Sequence, residues 1–363
     1  MKILNVVGAR PNFMKIAPLM AEYGGRQGVE AVLVHTGQHY DQAMSRLFFS
    51  ELGIPQPDIN LEVGSGSHAA QTAEIMRRFE PVVLDTKPDV VVVVGDVNST
   101  IACGLVAVKS GIKLAHVEAG LRSFDRSMPE EVNRILTDAI SDFLFCTEQS
   151  GIENLLNEGI PKDKVHFVGN VMIDTLLSNR AKAQASTILD RLGVNGSRYA
   201  LLTLHRPANV DDPHIFGGIL DAVDVILKDM PVIFPVHPRT RANLDGSAVG
   251  PRVGQMAGLR LTDPLGYLDF LRLMISAAVV LTDSGGIQEE TTILKVPCLT
   301  LRDNTERPVT VTCGSNRIVG RDPQRILTAY RDTLSPNGRR FQTPPLWDGE
   351  AACRIVDALM QKA

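Results

Sequence analysis

Aromatic residues are scarce. One tryptophan and 5% Phe, Trp and Tyr together in 363 residues leave little for the stacking platforms that hold single-stranded nucleic acid. An excess of positive charge is missing too. Lys and Arg number 37 against 41 Asp and Glu, a formal net charge of −4, without the basic surplus that displaces counterions from a nucleic-acid backbone. No apolar run approaches the ~20 residues of a membrane-spanning helix; the VVVVV run, Val90 to Val94, is strand length. The opening MKILNVVGARPNF is too short in its apolar part for a secretory signal. The five cysteines (103, 146, 298, 313 and 353) form no CxxC pair, which fits neither a disulfide framework nor a zinc site and points to reduced thiols in the cytoplasm. Neither the GxGxxG fingerprint, nor the GK[ST] of a P-loop, nor a GxSxG elbow occurs at the expected places. His and acidic residues lack metal-ligand spacing, so no metal is expected.

What is present is alternation. Short β-branched runs (Ile3–Val7, Ala31–Thr36, Asp89–Val94, Lys113–Val117, Phe143–Cys146) are each followed by a helical pattern: Asn12–Gly24, Gln42–Leu52, Ser99–Ser110, Glu130–Ile140 and Ser150–Glu158. Continuous apolar runs read as strands buried on both faces, as in a parallel sheet. The pattern restarts near Gly169, with a helical stretch from Asp174 to about Leu192. The runs Tyr199–Leu204, Val232–Val236, Leu259–Thr262, Ala278–Thr282 and Val296–Leu301 follow. The fold class is therefore α/β, with two Rossmann-like doubly wound domains, residues 1–170 and 171–349. The C-terminal helix, 350–363, is expected to pack back on the first domain. Ligands of such sheets bind beyond the carboxyl ends of the strands, so a central cleft between the domains is the expected site.

Polar residues cluster at those strand ends. Gly8-Ala9-Arg10-Pro11, with Lys15 a turn into the helix, forms an anion cradle; a plain turn with solvated basic residues is the alternative. Asp96 ends the VVVVV strand, where it could cap the next helix, a task Ser99 could also perform. Glu118 ends the following strand and needs a partner if buried, with Arg122 as the near candidate for a structural salt bridge. Glu130 and Glu131 open a helix, where dipole effects alone favour acids, so one of them can be purely structural. His205-Arg206 and His237-Pro238-Arg239 leave two strands of the second domain. Asp283-Ser284-Gly285-Gly286 is the sharpest signal: glycines at a strand-to-helix turn open backbone N–H groups to a phosphate. Glu290 lies about a turn into that helix, where it can accept from ribose hydroxyls. Arg302 and Arg307 add positive charge near the same edge.

Ten stretches then form a recognisable series: VGARPNFMKIAPL, VVGDVNST, HVEAGLRS, MPEEVNR, LFCTE, VGNVMIDTL, LHRPAN, PVHPRT, LTDSGGIQEE and LRDNTERP. In content and order the chain resembles the non-hydrolysing UDP-N-acetylglucosamine 2-epimerases over nearly its whole length. The resemblance implies a GT-B-like fold, a homodimer, a UDP-sugar substrate, and no metal or NAD. It further implies elimination of UDP to 2-acetamidoglucal and re-addition on the opposite face. In this reading Asp96, Glu118, Glu130 and His205 carry the chemistry. Arg10, His237, Ser284, Gly285, Gly286, Glu290 and Arg307 hold the UDP moiety, and Lys15 joins them near the phosphates or stands near the acids.

Two departures from the family bear on regulation and substrate. Gln38-His39-Tyr40-Asp41 replaces a cationic residue expected in members activated by their own substrate, and Gly64–His68 lacks a basic residue. Weak or absent homotropic activation is expected. The TGQHYD version also occurs in relatives acting on UDP-2,3-diacetamido sugars or their uronic acids, where Arg206 and Arg239 could meet a carboxylate. A GT-B glycosyltransferase, or a non-catalytic UDP-sugar binder, is the alternative of another class.

Overall fold

The computed structural model describes residues 1–38, 42–246, 249–335 and 341–362. Contacts divide the chain into two units, Met1–Ser178 with Pro345–Ala363, and Asn179–Pro344.

The N-terminal unit is built on seven strands: β1 Lys2–Val7, β2 Glu30–His35, β3 Ile59–Asn60, β4 Val90–Val94, β5 Lys113–Ala119, β6 Phe143–Cys146 and β7 Val165–Phe167. Their order across the sheet is β3-β2-β1-β4-β5-β6-β7, and every pairing is parallel. All five valines of β4 are buried, the outcome a central strand covered on both faces demands. One face packs Leu4, Val6, Val91 and Val93 against Ile75 and Phe79 of the helix His68–Thr86 and Cys103 and Val106 of the helix Asn98–Lys109. The helix His68–Thr86 is an element that the strand–helix reading lacks. Its buried side chains form a single row, Gln71, Ile75, Phe79 and Val83, and Pro81 lies inside it. A stripe that narrow interrupted by proline carries little helical signal.

The C-terminal unit repeats the plan with β8 Ala200–Thr203, β9 Val232–Pro235, β10 Leu259–Thr262, β11 Val279–Thr282, β12 Cys298–Thr300 and β13 Asn316–Ile318. The order is β10-β9-β8-β11-β12-β13, again parallel throughout. Phe216, Ile219, Leu220 and Val223 of the helix Pro213–Ile226 cover one face.

The division between the units falls within the helix Val171–Gln184, beyond residue 170. Its first turns are tied to the N-terminal unit: the Thr175 hydroxyl donates to the Met14 carbonyl at 2.5 Å. Asp174 accepts from the backbone N–H groups of Ala351 and Ala352 at 3.3 and 2.7 Å. The helix also stops earlier than residue 192. The Ser186 hydroxyl accepts from the Ile188 N–H and donates to Asp269, starting a separate turn, Ile188–Arg191. The returning C-terminal segment is pinned to the N-terminal unit by its one tryptophan: Trp347 is 2% exposed and donates to the Thr147 carbonyl at 2.9 Å. Arg26 then pairs with Asp357 on the helix Ala351–Lys362 at 2.8 Å.

Candidate active site

In both sheets the strand order reverses once, between β1 and β4 and between β8 and β11. Beyond the carboxyl ends of such a pair the two flanking loops part and leave room for a ligand. Lys15 and Glu118 meet at the first of these places, and His205 and Asp283 at the second.

At the β1/β4 junction, Asn12 fastens the turn after β1 to the end of β4. Its Oδ1 accepts from Gly8 and Ala9 N–H, and its Nδ2 donates to the Val94 carbonyl. Arg10 is the first residue of the helix Arg10–Gly24 and is half-buried. Lys15, one turn further, is buried and forms an ion pair with Glu118. The expected alternative for Glu118, a salt bridge to Arg122, is not formed. Arg122 instead pairs with Asp138 and Glu158, both at 2.7 Å, because β5 turns between Glu118 and Arg122 and sends the two side chains apart. The backbone at Glu118 takes φ of 75°, the left-handed region that costs a non-glycine residue energy. The register of β5 against β6 slips at the same point, between Val117 and Ala119. The strain turns Glu118 toward Lys15 rather than along the strand.

Gly95, with φ of 67°, completes this corner. A Cβ there would lie 2.7 Å from the Lys15 Nζ and 3.4 Å from Glu118 Oε2, so only glycine lets the chain pass the ion pair. Asp96 follows and accepts from Arg134 Nε at 3.0 Å, with 23% of its side chain exposed. Neither Asp96 nor Ser99 caps the next helix. The cap position is Val97, without a side-chain bond, and the Ser99 hydroxyl donates to Gln38 Oε1 at 2.7 Å. The two adjacent acids separate cleanly. Glu131 is buried, accepts from the Ser123 and Phe124 N–H groups, and pairs with Arg134; it is structural. Glu130 stays half-buried beside it.

At the β8/β11 junction, His205 meets Asp283. The His205 Nδ1 lies 2.9 Å from Asp283 Oδ1, with side chains 39% and 0% exposed. Asp283 also accepts from the backbone N–H groups of His205 and Arg206 and from Asn209 Nδ2. Burial pushes its carboxyl up, but His205 and the backbone donors outweigh burial and hold it below the usual carboxylate range. The His237 ring lies 5.5 Å from the His205 ring, and its own side chain caps the helix Pro238–Asp245 by accepting from Arg239 N–H. Arg239 is engaged by Asp211 through two bonds, 2.5 and 3.0 Å, and Arg206 donates to the Asp283 carbonyl.

Ser284 stands at the N-terminal cap of the helix Gly285–Leu294. A Cβ on Gly285 would lie 2.5 Å from Arg307 Nη1 and 2.8 Å from Glu306 Oε1. Glycine is therefore required here by what lies beneath the turn. Arg307 itself is buried and paired with Glu289 and Glu306 at 2.8 and 2.6 Å, where it braces the turn from inside. Glu290 is buried, and Tyr267 donates to it at 2.8 Å. Burial pushes the Glu290 carboxyl up to about 8; the Tyr267 bond opposes this and the Glu289 charge adds to it.

Of the two departures in the sequence, His39, Tyr40 and Asp41 lie outside the described residues. In the Gly64–His68 stretch, Ser67 caps the following helix and His68 bonds Asn98. Sequence reasoning missed Asn12 and Arg134 as parts of the site, and it named Asp283 only as the start of the glycine turn, not as the partner of His205. Asp283 carried a usable signal, an acid between a buried strand and a glycine turn. Among the described residues no group of three or more His, Cys, Asp or Glu is placed to hold a metal ion, and no helix is long and apolar enough to cross a membrane.

The family model for UDP-N-acetylglucosamine 2-epimerase matches residues 21–360. A UDP-N-acetylglucosamine 2-epimerase of Methanococcus maripaludis is 42% identical over 362 residues, covering 98% of this chain and 97% of its own. A UDP-2,3-diacetamido-2,3-dideoxy-D-glucuronate 2-epimerase of Pseudomonas aeruginosa is 41% identical, covering 99% of each. The crystal structure of the Methanocaldococcus jannaschii UDP-GlcNAc 2-epimerase, in complex with UDP-GlcNAc and UDP, superposes with a TM-score of 0.93 at 42% identity, over 99% of this chain and 100% of that one. The α/β architecture is thus the GT-B-like one of these enzymes, and the chain belongs to the UDP-N-acetylglucosamine 2-epimerase family of isomerases.

Proposed function

We propose that this protein interconverts UDP-N-acetylglucosamine and UDP-N-acetylmannosamine without hydrolysis. The C2 proton of the sugar has no ring carbonyl beside it to acidify it, so direct exchange is slow. The route is elimination. A base takes the C2 proton, the C2–H electrons form the C1=C2 double bond, and the C1–O pair leaves with UDP, giving 2-acetamidoglucal. UDP then adds back at C1 while C2 is reprotonated from the opposite face. Asp96, Glu118 and Glu130 of the N-terminal unit move the protons. Lys15 holds Glu118, and Arg10 offers charge and a helix N-terminus to the diphosphate. In the C-terminal unit His205 steadies the departing diphosphate with His237 beside it. The Ser284–Gly286 turn takes phosphate and Glu290 the ribose. Arg307 acts on UDP through the glycine turn that it braces.

The observation that carries this reading is the buried Lys15–Glu118 pair packed against Gly95, the residue before Asp96, at the β1/β4 junction, in a chain of this family. Proton NMR with UDP-N-acetylglucosamine in D2O tests it. UDP-N-acetylmannosamine deuterated at C2 is the expected product. Free N-acetylmannosamine with UDP would overturn it in favour of hydrolysis. The 41% identity to a diacetamido-uronate epimerase favours one second reading, in which the same chemistry acts on that sugar. An inert tube that turns over once the diacetamido-uronate is added would establish it.

Two further expectations remain: a homodimer, which stands on the family resemblance and is checked by light scattering, and a rate that rises without a sigmoid at low substrate, which stands on the departures from the family at Gln38–Asp41 and Gly64–His68. The described cysteines are all free, which fits a cytoplasmic enzyme.

A further inference from the structure

A buried network of charges lies beside the β1/β4 junction of the N-terminal unit and is used by none of the steps above. His116 on β5 is 0% exposed and Arg122 3%. The His116 Nδ1 faces Asp138 Oδ1 at 2.6 Å, and its Nε2 faces the Gly95 carbonyl at 2.8 Å. Both partners are acceptors, so the ring donates at both nitrogens and carries a charge. Asp138 Oδ2 accepts from Arg122 at 2.7 Å and from the Gly120 N–H at 3.1 Å. Glu158 closes the set on Arg122 at 2.7 Å. Two cations, His116 and Arg122, therefore balance two anions, Asp138 and Glu158. Burial pushes the Asp138 carboxyl up, and the contacts of His116 and Arg122 more than reverse it.

The two backbone groups at the ends of this network are informative. Gly95 immediately precedes Asp96, and its N–H already donates to the Val117 carbonyl at 3.0 Å. The His116 ring takes the other side of the same residue. Gly120 lies two residues past Glu118, on the far side of its left-handed backbone. One histidine–aspartate pair thus grips the chain beside both carboxylates assigned to proton transfer.

We propose that His116 and Asp138 are positioning residues for the epimerisation, setting Asp96 through the Gly95 carbonyl and Glu118 through the Gly120 N–H. The inference rests on the proposed roles of Asp96 and Glu118. Small errors in placing an acid–base group cost rate more than binding, so the network acts on kcat.

The test compares two amides at one position. In His116→Gln the side-chain Nε2 reaches the place of the ring Nε2 and keeps a donor for Gly95. In His116→Asn the Nδ2 stands in for the ring Nδ1, keeping Asp138 and losing Gly95. Melting temperature, kcat and KM for the UDP-sugar are measured for both. At matched melting temperatures the Asn variant is expected to have a kcat about 10-fold or more below the Gln variant, with KM within about 3-fold of the parent. Equal kcat values would overturn the proposal. Asp138→Asn is the second variant and keeps an acceptor without the charge. Here kcat is expected to fall about 10–100-fold with KM kept. Parental kcat in the folded fraction, with only the melting temperature lowered, would make the network merely structural and overturn the proposal. Asp96→Asn and Glu118→Gln run beside them. Turnover by either at the parental rate overturns the reading beneath, and the positioning role with it, whereas equal amide variants with dead carboxylate variants overturn the positioning role alone.

Discussion

Lys15 and Glu118 form a buried ion pair, their side chains 6% and 3% exposed, although 103 residues separate them in the chain. The parallel order β1-β4-β5 brings them together, with Gly95 of the intervening strand end cut back to let them meet. Each charge depends on the other, since a lone buried ion costs several kcal/mol. Lys15→Met is expected to destabilise the fold by about 3–5 kcal/mol, read by denaturant unfolding, and to abolish epimerisation. A variant as stable as the parent would mean that the pair is open to water.

The strain at Glu118 can be measured apart from its charge. Glu118→Ala and Glu118→Gly both leave Lys15 unpaired, so that penalty cancels between them. The φ of 75° suits glycine and not alanine. The glycine variant is therefore expected to be more stable by about 1 kcal/mol, against the ordinary cost of glycine in a strand. Alanine proving the more stable would show that the backbone relaxes once the carboxylate is gone.

Asp283→Asn tests how far His205 depends on its buried partner. The parent carboxylate faces only donors: the ring Nδ1, two backbone N–H groups and Asn209. An amide puts an NH2 group where one of those donors points. A stability loss of about 1–3 kcal/mol is expected, with kcat lowered about 10–100-fold. Thermal melts and steady-state kinetics on the same preparation check both. An unchanged kcat would mean that the imidazole needs no orienting.

The elements legible in the sequence were those buried on both faces. VVVVV could be little else than a central strand, and the strand-end residues followed from it. The three strands left unread, Ile59–Asn60, Val165–Phe167 and Asn316–Ile318, all lie at sheet edges. Edge strands are kept short, too short to show a period. Partners were harder than positions. Arg122 is near Glu118 in sequence, yet the backbone turn at Glu118 separates them. Nothing in the adjacent pair Glu130-Glu131 says which acid faces inward; the loop N–H groups of Ser123 and Phe124 decide it. His116 looked like part of a buried strand, and its partner Asp138 lies on a helix whose facing could not be known before the sheet order.

Glu290 predicts a pH dependence with a definite sign. Its carboxyl titrates near 8 in the fold, raised by burial, against 4.5 for an ordinary glutamate. Between those values the folded chain binds the proton and the unfolded chain does not. The group's contribution is full below about pH 4.5 and is lost as pH rises through about 8. Glu290→Gln cannot ionise, so its stability relative to the parent should rise between pH 5 and pH 9. Melting temperatures across that range check it, and a constant difference would mean that Glu290 is ionised throughout.

Gly285→Ala probes the turn proposed to take the UDP phosphates. The new methyl carbon would fall 2.5 Å from Arg307 Nη1, and that guanidinium cannot swing away freely because Glu289 and Glu306 hold it. Either the ion pairs break or the turn lifts. The first costs about 1–3 kcal/mol of overpacking. The second displaces the N–H groups at the start of the helix, the groups best placed for an anion. Both melting temperature and UDP affinity by calorimetry are therefore expected to fall, the affinity by about 10-fold or more, since 1.4 kcal/mol is already tenfold. Pairing the variant with Arg307→Ala separates the two costs. Removing the guanidinium takes away the nearest of the atoms the methyl meets and leaves Glu306 Oε1 at 2.8 Å, so Gly285→Ala should cost less in that background. If it costs the same, Arg307 is not what forbids a side chain at this turn.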